Sequence, residues 1–217
     1  MYYSQFKQDE ILENTIFKNY KYGIFVDIGA HDGETFNNTL YFEKNNKWNG
    51  YNIEPIPSVF EKLVINRPTC ININCAISSS NGIEDFILND GYTEMLSGLV
   101  KNYDERHINR LKNELQQNGG NSKVIKIKTK TFQSLCEEYN IKYINLLTID
   151  VEGAEFDIIK SIDFDKVFID VILFENNYED VSEPIIKYLN SYNYRVLLKS
   201  GDIYMLNIHS KFNRNLV

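Results

Sequence analysis

Ile24-Phe25-Val26-Asp27-Ile28-Gly29-Ala30-His31-Asp32-Gly33-Glu34 is the stretch that decides the fold. An apolar run enters an acidic turn punctuated by glycine, and a helical pattern from Thr35 to Lys44 follows. A strand, a tight turn and a helix in that order build the nucleotide pocket of an α/β protein. Gly29 and Gly33 are expected to let the backbone pass close to a ligand, since neither has a Cβ. Asp27, at the strand's carboxyl end, is expected to accept hydrogen bonds from a ligand cation or from the turn's own amides.

Outward from this turn, strand-like and helix-like segments alternate, as βαβ units require. Expected strands are Gly23–Ile28, Tyr51–Ile53, Cys70–Cys75, Ile83–Leu88, Leu146–Ile149 and Val171–Phe174. Expected helices are Phe36–Lys44, Ser58–Asn66 behind Pro57, Phe132–Tyr139, Ala154–Ile162 and Pro184–Ser191. Tyr194–Leu198 and Ile203–Ile208, around Ser200-Gly201-Asp202, read as a hairpin. Val124–Thr129 alternates lysines with apolar or small residues, as a half-exposed strand does. Its lysines either meet an anionic substrate or protect a sheet edge, and the second is the simpler reading. An alternating α/β chain that ends in such a hairpin fits a Rossmann-like class I architecture: a seven-stranded, mostly parallel sheet, helices on both faces and a C-terminal antiparallel hairpin. One domain is expected over residues 1–217. Within it, 90–122 reads as an insertion, carrying a polar helix at Tyr103–Gln117 that Asn118-Gly119-Gly120 closes. It is either a lid or substrate wall, or a solvated excursion.

Composition sets limits. With 217 residues, 43% hydrophobic and 24% charged, the chain can build a full globular core. A net charge of -7 argues against a broad footprint on nucleic acid. Three cysteines and three scattered histidines suggest neither a disulfide framework nor a zinc site. The polar, acid-bearing first residues do not read as a signal peptide, and no apolar run reaches the roughly 20 residues of a membrane span. The expectation is a soluble, cytoplasmic protein with no membrane contact.

The glycine turn is not a dinucleotide fingerprint, because His31 and Glu34 occupy the places where that fingerprint needs its later glycines. No Gly-Lys-Ser/Thr of a P-loop occurs either. Asp-x-Gly-x-x-x-Gly, Asp27 to Gly33, suits S-adenosylmethionine, whose ammonium calls for acceptors such as Asp27 and Asp32. Glu54 follows about 20 residues after the turn, where an acid can accept from both ribose hydroxyls, and Pro55 stops the strand behind it.

Several longer motifs point the same way: Ser4-Gln5-Phe6-Lys7-Gln8-Asp9, Phe25 to Gly33, Asn38-Thr39-Leu40, Trp48, Ile53-Glu54-Pro55, Asn74-Cys75-Ala76-Ile77-Ser78 and Ile149-Asp150-Val151-Glu152-Gly153-Ala154-Glu155. In order and spacing they resemble the FkbM family of S-adenosylmethionine-dependent methyltransferases. The resemblance implies O-methylation of sugar or natural-product hydroxyls. It puts the methionine end of the cofactor against Asp27, Gly29, Ala30, Asn38 and Thr39, ribose on Glu54 and Pro55, and adenine near Ala76 and Ile77. Gln5, with Tyr2 and Tyr3, would fold over the cofactor, and His31 would shape the turn through its tolerance of positive φ. Lys7 and the long 90–122 segment depart from the family pattern.

For chemistry, Asp150 and Glu175 end strands beside the first, with Glu152 and Glu155 in the turn after Asp150. Asp150, Glu175 and Glu152 are candidate bases, and Asp150 also a cofactor contact. The acids at 152 and 155 equally suit a helix start. Glu175 and Asn176, with Met95-Leu96-Ser97-Gly98, are candidates for the acceptor site. Asp150, Glu175 and Asn176 could form an oxygen-rich Mg²⁺ set, but no third carboxylate or histidine joins them by spacing, so no metal is the favoured expectation. His107 is a further candidate base, or simply exposed on a polar helix. The favoured reading is an O-methyltransferase for a small-molecule or glycan hydroxyl. An RNA ribose methyltransferase and a non-catalytic partner of the same fold are the alternatives.

Overall fold

In the computed structural model, which describes residues 1–176 and 178–216, the strand Ile24–Ile28 (β1) lies inside a seven-stranded sheet, beside its middle strand. Before it comes the helix Gln8–Leu12 (α1), continued by a π-helical turn at Glu13–Phe17. Leu40–Asn46 (α2), Asn49–Ile53 (β2), Pro57–Asn66 (α3) and Ile71–Ile73 (β3) follow. The chain then leaves the main sheet through Ala76–Ile77 (β4), Gly82–Asn89 (β5), Gly98–Leu99 (β6), Glu105–Asn118 (α4) and Ser122–Lys130 (β7). It returns through Phe132–Glu138 (α5), Tyr143–Ile149 (β8), Glu155–Lys160 (α6), Phe168–Glu175 (β9), Glu179–Ser191 (α7), Tyr194–Ser200 (β10) and Asp202–Asn207 (β11).

The strand order is β10-β11-β9-β8-β1-β2-β3. All neighbours are parallel except β11, which runs antiparallel to both β9 and β10. This is the expected architecture, with the last strand reversed. Alternation along the strands serves two cores. Ile172 and Phe174 face one layer with Leu135, Ile158 and Leu189, while Val171 and Leu173 face the other with Leu12, Phe17, Phe42 and Trp48. Buried on both faces, the central strands read as continuous apolar runs. The order reverses at β1, so the crevice outside the carboxyl ends of β1 and β8 is the topological switch point. Among the described residues no helix is long and apolar enough to cross a membrane.

Four local expectations change. The helix expected from Phe36, α2, begins at Leu40, because Asn37 Oδ1 accepts the Thr39 and Leu40 amides, both at 2.9 Å, and holds 37–39 as a cap. Cys70–Cys75 is not one strand: Ile71–Ile73 joins the main sheet, and Ala76–Ile77 crosses to a second, four-stranded sheet, β4-β7-β5-β6. β7 is an inner strand of that sheet, not an edge. Its Lys126 meets Asp85 at 2.8 Å and its Lys130 meets Glu138, so these lysines serve cross-strand and local pairing. Pro184 lies inside α7, which starts at Glu179.

Candidate active site

β1 delivers Asp27 to the switch point, and the carboxylate is almost fully buried. Its Oδ2 accepts from Asn37 Nδ2 at 2.9 Å and Thr39 Oγ1 at 2.8 Å, its Oδ1 from Thr148 Oγ1 at 2.7 Å. Asp27 therefore ties together β1, β8 and the cap of α2, and little of its accepting capacity remains for a ligand. The glycines also serve the protein. Gly29 has φ +86°, and a Cβ there would overlap the carbonyl oxygen of Asp150 on the neighbouring strand end. Gly33 has φ +79°, and a Cβ would stand 2.6 Å from Arg67 Cγ and Leu63 Cδ1. Packing within the protein by itself demands both glycines. The Gly29 and Ala30 amides bond to Ile53 O, which locks the turn to the end of β2.

Beside this turn a cavity runs along the carboxyl ends of the strands. Of the expected residues it is lined by Gln5, Asp27, Gly29, Ala30, His31, Asn38, Glu54, Pro55, Ala76, Ile77, Met95, Leu96, Ser97, Gly98, Asp150, Glu152 and Glu175. It brings the ends of β1, β2, β8 and β9 together with the 90–122 segment. Gln8, Phe36, Asn37, Glu94 and Arg110 also line it, and sequence reasoning assigned none of them to the site. Gln8 stands in the opening motif and Asn37 abuts Asn38-Thr39, so those two left a signal; the others did not.

Asp32, Gly33, Thr39, His107 and Asn176 are not among the lining residues. Asp32 accepts from Glu34 N, Thr35 N and Thr35 Oγ1; burial works the other way, but these bonds hold its carboxyl below the usual range. Thr39 is fully buried, between Asp27 and Arg67. His107 is nearly buried on α4, not exposed: Nδ1 meets Glu152 Oε2 at 3.2 Å and Nε2 faces Leu96 O at 3.3 Å. It clasps α4 to the turn after β8. Asn176 Oδ1 is buried and without a partner among the described residues.

Glu54 ends β2 with Oε2 accepting the His31 amide at 3.1 Å and Oε1 the Ile56 amide at 2.7 Å. Burial pushes its carboxyl up to about 8. His31 holds φ +50° and reaches Glu94 Oε1 with Nε2 at 3.1 Å, joining the glycine turn to the 90–122 segment. At the far end Glu175 is pushed up to about 8 by burial and by nearby Glu152 and Glu155, and its buried Oε2 has no partner among the described residues. Asp150 is exposed toward the cavity while protein packs around it on the other sides; that enclosure, then Glu175 and Asp202, raises its carboxyl well above the usual range. Asp202, raised by burial, accepts from Gln8 Nε2 at 2.8 Å. Among the described residues six carboxyl groups, of Asp27, Glu54, Glu94, Asp150, Glu152 and Glu175, thus face the cavity, with Arg110 as its one lysine or arginine. Among the described residues no three His, Cys, Asp or Glu are grouped to hold a metal ion.

The model of the methyltransferase FkbM domain matches residues 27–196, more than three quarters of the chain. The chain belongs to the FkbM methyltransferase family. The matched FkbM region spans every lining residue except Gln5 and Gln8. Among solved structures, a methyltransferase FkbM from Methylobacillus flagellatus is similar at 12% identity with a TM-score of 0.52, over 85% of this chain. The chain spans 43% of that protein's length. A precorrin 8W decarboxylase from Methanobacterium thermoautotrophicum aligns at 10% identity and TM-score 0.45, over 92% of this chain and 87% of its own. Fibrillarin from Aeropyrum pernix, in complex with natively bound S-adenosyl-L-methionine, aligns at 10% and 0.44, over 87% of this chain and 66% of its own. At such identities likeness speaks to the fold alone. Comparison with curated proteins finds no match.

Proposed function

We propose that this FkbM domain is an S-adenosylmethionine-dependent O-methyltransferase acting on a hydroxyl of a sugar, glycan or small molecule. One observation carries the reading: a single cavity at the switch point holds Glu54 at one strand end and, at another, Glu175 with a buried oxygen that no donor among the described residues satisfies. The chain's chemistry fits the cofactor. Glu54 stands where an acid can accept from ribose hydroxyls. Asn38 Oδ1, buried and partnerless, offers an acceptor to an ammonium group. The lining acids, ionising as a cation is bound beside them, suit a ligand whose ammonium and sulfonium outweigh its carboxylate.

When bound, S-adenosylmethionine supplies a methyl group on a sulfonium, which leaves as a neutral thioether. The protein must hold the acceptor oxygen in line with that methyl and remove its proton. Glu175 is the candidate base. Its raised pKa makes it a stronger base than an ordinary carboxylate, and it takes the proton from its ionised form, whose share grows as pH rises toward about 8. As the acceptor oxygen bonds to the methyl carbon, its proton passes to Glu175 Oε2. Burial, then Glu152 and Glu155, keeps the pKa of Glu175 high, and Ser97, Gly98 and Arg110 wall the acceptor end. Asp150, Glu175 and Asn176 offer Mg²⁺ only two carboxylates, and the reading assigns no step to a metal.

Transfer of labelled methyl groups across a panel of glycans and small hydroxyl compounds is the direct test. Incorporation into a hydroxyl that Glu175→Gln abolishes, while S-adenosylhomocysteine binding survives, is the expected result. Incorporation unchanged in Glu175→Gln would remove that residue as the base.

A further inference from the structure

Phe36 lines the cavity with its backbone in the left-handed region, φ +53°. For a bulky aromatic residue this is a genuine outlier, and such strain persists only where the surroundings enforce it. Both flanks do so. Thr35 gives its amide and hydroxyl to Asp32, at 2.7 Å each. Asn37, buried, accepts from the Thr39 and Leu40 amides and from Arg67, and donates to Asp27. Phe36 is held between two anchored residues.

Core packing does not explain the ring. Phe36 is 52% exposed and belongs to none of the three apolar cores, whereas Leu40 and Phe42 just beyond it are fully buried. The ring stands at a cavity otherwise rich in carboxylates. The 90–122 segment, which His31–Glu94 joins to this turn, adds a second exposed apolar side chain to the lining, Met95 at 44%. An exposed aromatic face beside polar groups suits a flat ligand that is apolar on one side and bears hydroxyls at its edge.

We propose that Phe36 is a platform for the acceptor: it stacks on an apolar ring face and holds the ring in the cavity. This assignment rests on the methyltransferase reading above and specifies its acceptor as a ring, either a pyranoside or an aryl alcohol. Phe36 is a specificity-determining residue that carries no proton.

The test uses the full chain saturated with S-adenosylhomocysteine and saturation-transfer NMR with two probes, methyl β-D-glucopyranoside and benzyl alcohol. Transfer to the ring protons of one probe is expected, and which one tells a sugar from an aryl acceptor. Phe36→Tyr is expected to retain it, while Phe36→Ala and Phe36→Gly lower it about fivefold, with S-adenosylhomocysteine affinity within about twofold of the native value throughout. Because Ala and Gly both lack the ring, their difference isolates the backbone: the Gly variant is expected to melt about 3 °C above the Ala variant. No transfer to either probe, transfer undiminished in the Ala and Gly variants, or a parallel loss of S-adenosylhomocysteine affinity would overturn the platform. Equal melting of the two variants would overturn its strained backbone. Failure of the native chain to bind S-adenosylhomocysteine would sink the methyltransferase reading itself, whereas binding without ring contact sinks only the platform.

Discussion

Glu54 shows how burial and binding are linked at one residue. Its carboxyl, pushed up to about 8 by burial, retains its proton at neutrality in the free protein. Two ribose hydroxyls donating to it would favour the ionised form, so binding should release a proton. S-adenosylhomocysteine affinity is therefore expected to rise as pH increases from 6 toward about 8 and then level off. Glu54→Gln is expected to weaken binding about tenfold and to remove that part of the pH dependence. Calorimetric titrations of both proteins across this range check it, and an identical pH profile in the two would refute the ribose assignment. Gly29 makes a second residue-scale case. Gly29→Ala is expected to cost about 3 kcal/mol or more in urea unfolding, since the new methyl meets the Asp150 carbonyl. Gly91→Ala, at φ +62° with open space around its Cβ, should cost only about 1 kcal/mol. Equal costs would show that positive φ alone, without the overlap, dictates Gly29.

Between elements, Arg67 is the tie that sequence reasoning missed. It follows α3 directly, is fully buried, pairs with Glu43 of α2, and donates to Gly33 O at 3.1 Å and Asn37 Oδ1 at 3.0 Å. Arg67→Met would leave Glu43 and those acceptors without their donor, at a cost of roughly 3–5 kcal/mol. Adding Glu43→Met should recover part of it, because the uncompensated charge goes too; a double variant no more stable than Arg67→Met in urea unfolding would mean the ion pair is not the tie. Why Arg67 escaped notice is physical. The pair joins residues 24 apart in sequence with no helical or strand period to mark them. Strands β1, β8 and β9 were legible because burial on both faces writes an unbroken apolar run, and the β10–β11 hairpin because Gly201 sits between two strand patterns. The start of α2 was not legible, since apolar periodicity runs back through Phe36 while a side-chain cap at Asn37 decides the matter. Nor was the inner position of β7, because its second neighbour, β4, is two residues long. Glu54, Asp150 and Glu175 could be read at strand ends, where fold geometry alone brings them together. Arg110, Glu94 and Phe36 reach the cavity from turns and a polar helix, and tertiary packing places them there.

Across the whole molecule, the site concentrates carboxyl groups that the fold prefers uncharged. Glu54, Glu155 and Glu175 are each pushed up to about 8, chiefly by burial, and Asp150 and Asp202 are raised as well. The sign follows from proton counting. In the unfolded chain a glutamate gives up its proton near 4.5, while the folded groups hold theirs until about 8. Between those values the native state binds more protons, so stability falls as pH rises through the window. The carboxyls held low, such as Asp32 and Glu84, act only below their ordinary values and do not offset this trend. Melting of the ligand-free protein is expected to shift downward steadily from pH 5.5 to 8.5. Glu175→Gln, which removes one such group without changing its shape, should melt higher than the native chain at pH 8.5, show a shallower slope, and lose methyl transfer. Higher stability with lost activity would mark Glu175 as a carboxylate kept at the expense of the fold. A native melting temperature that climbs through this range, or a Glu175→Gln variant with an unaltered slope, would show that these buried acids do not carry the proton linkage.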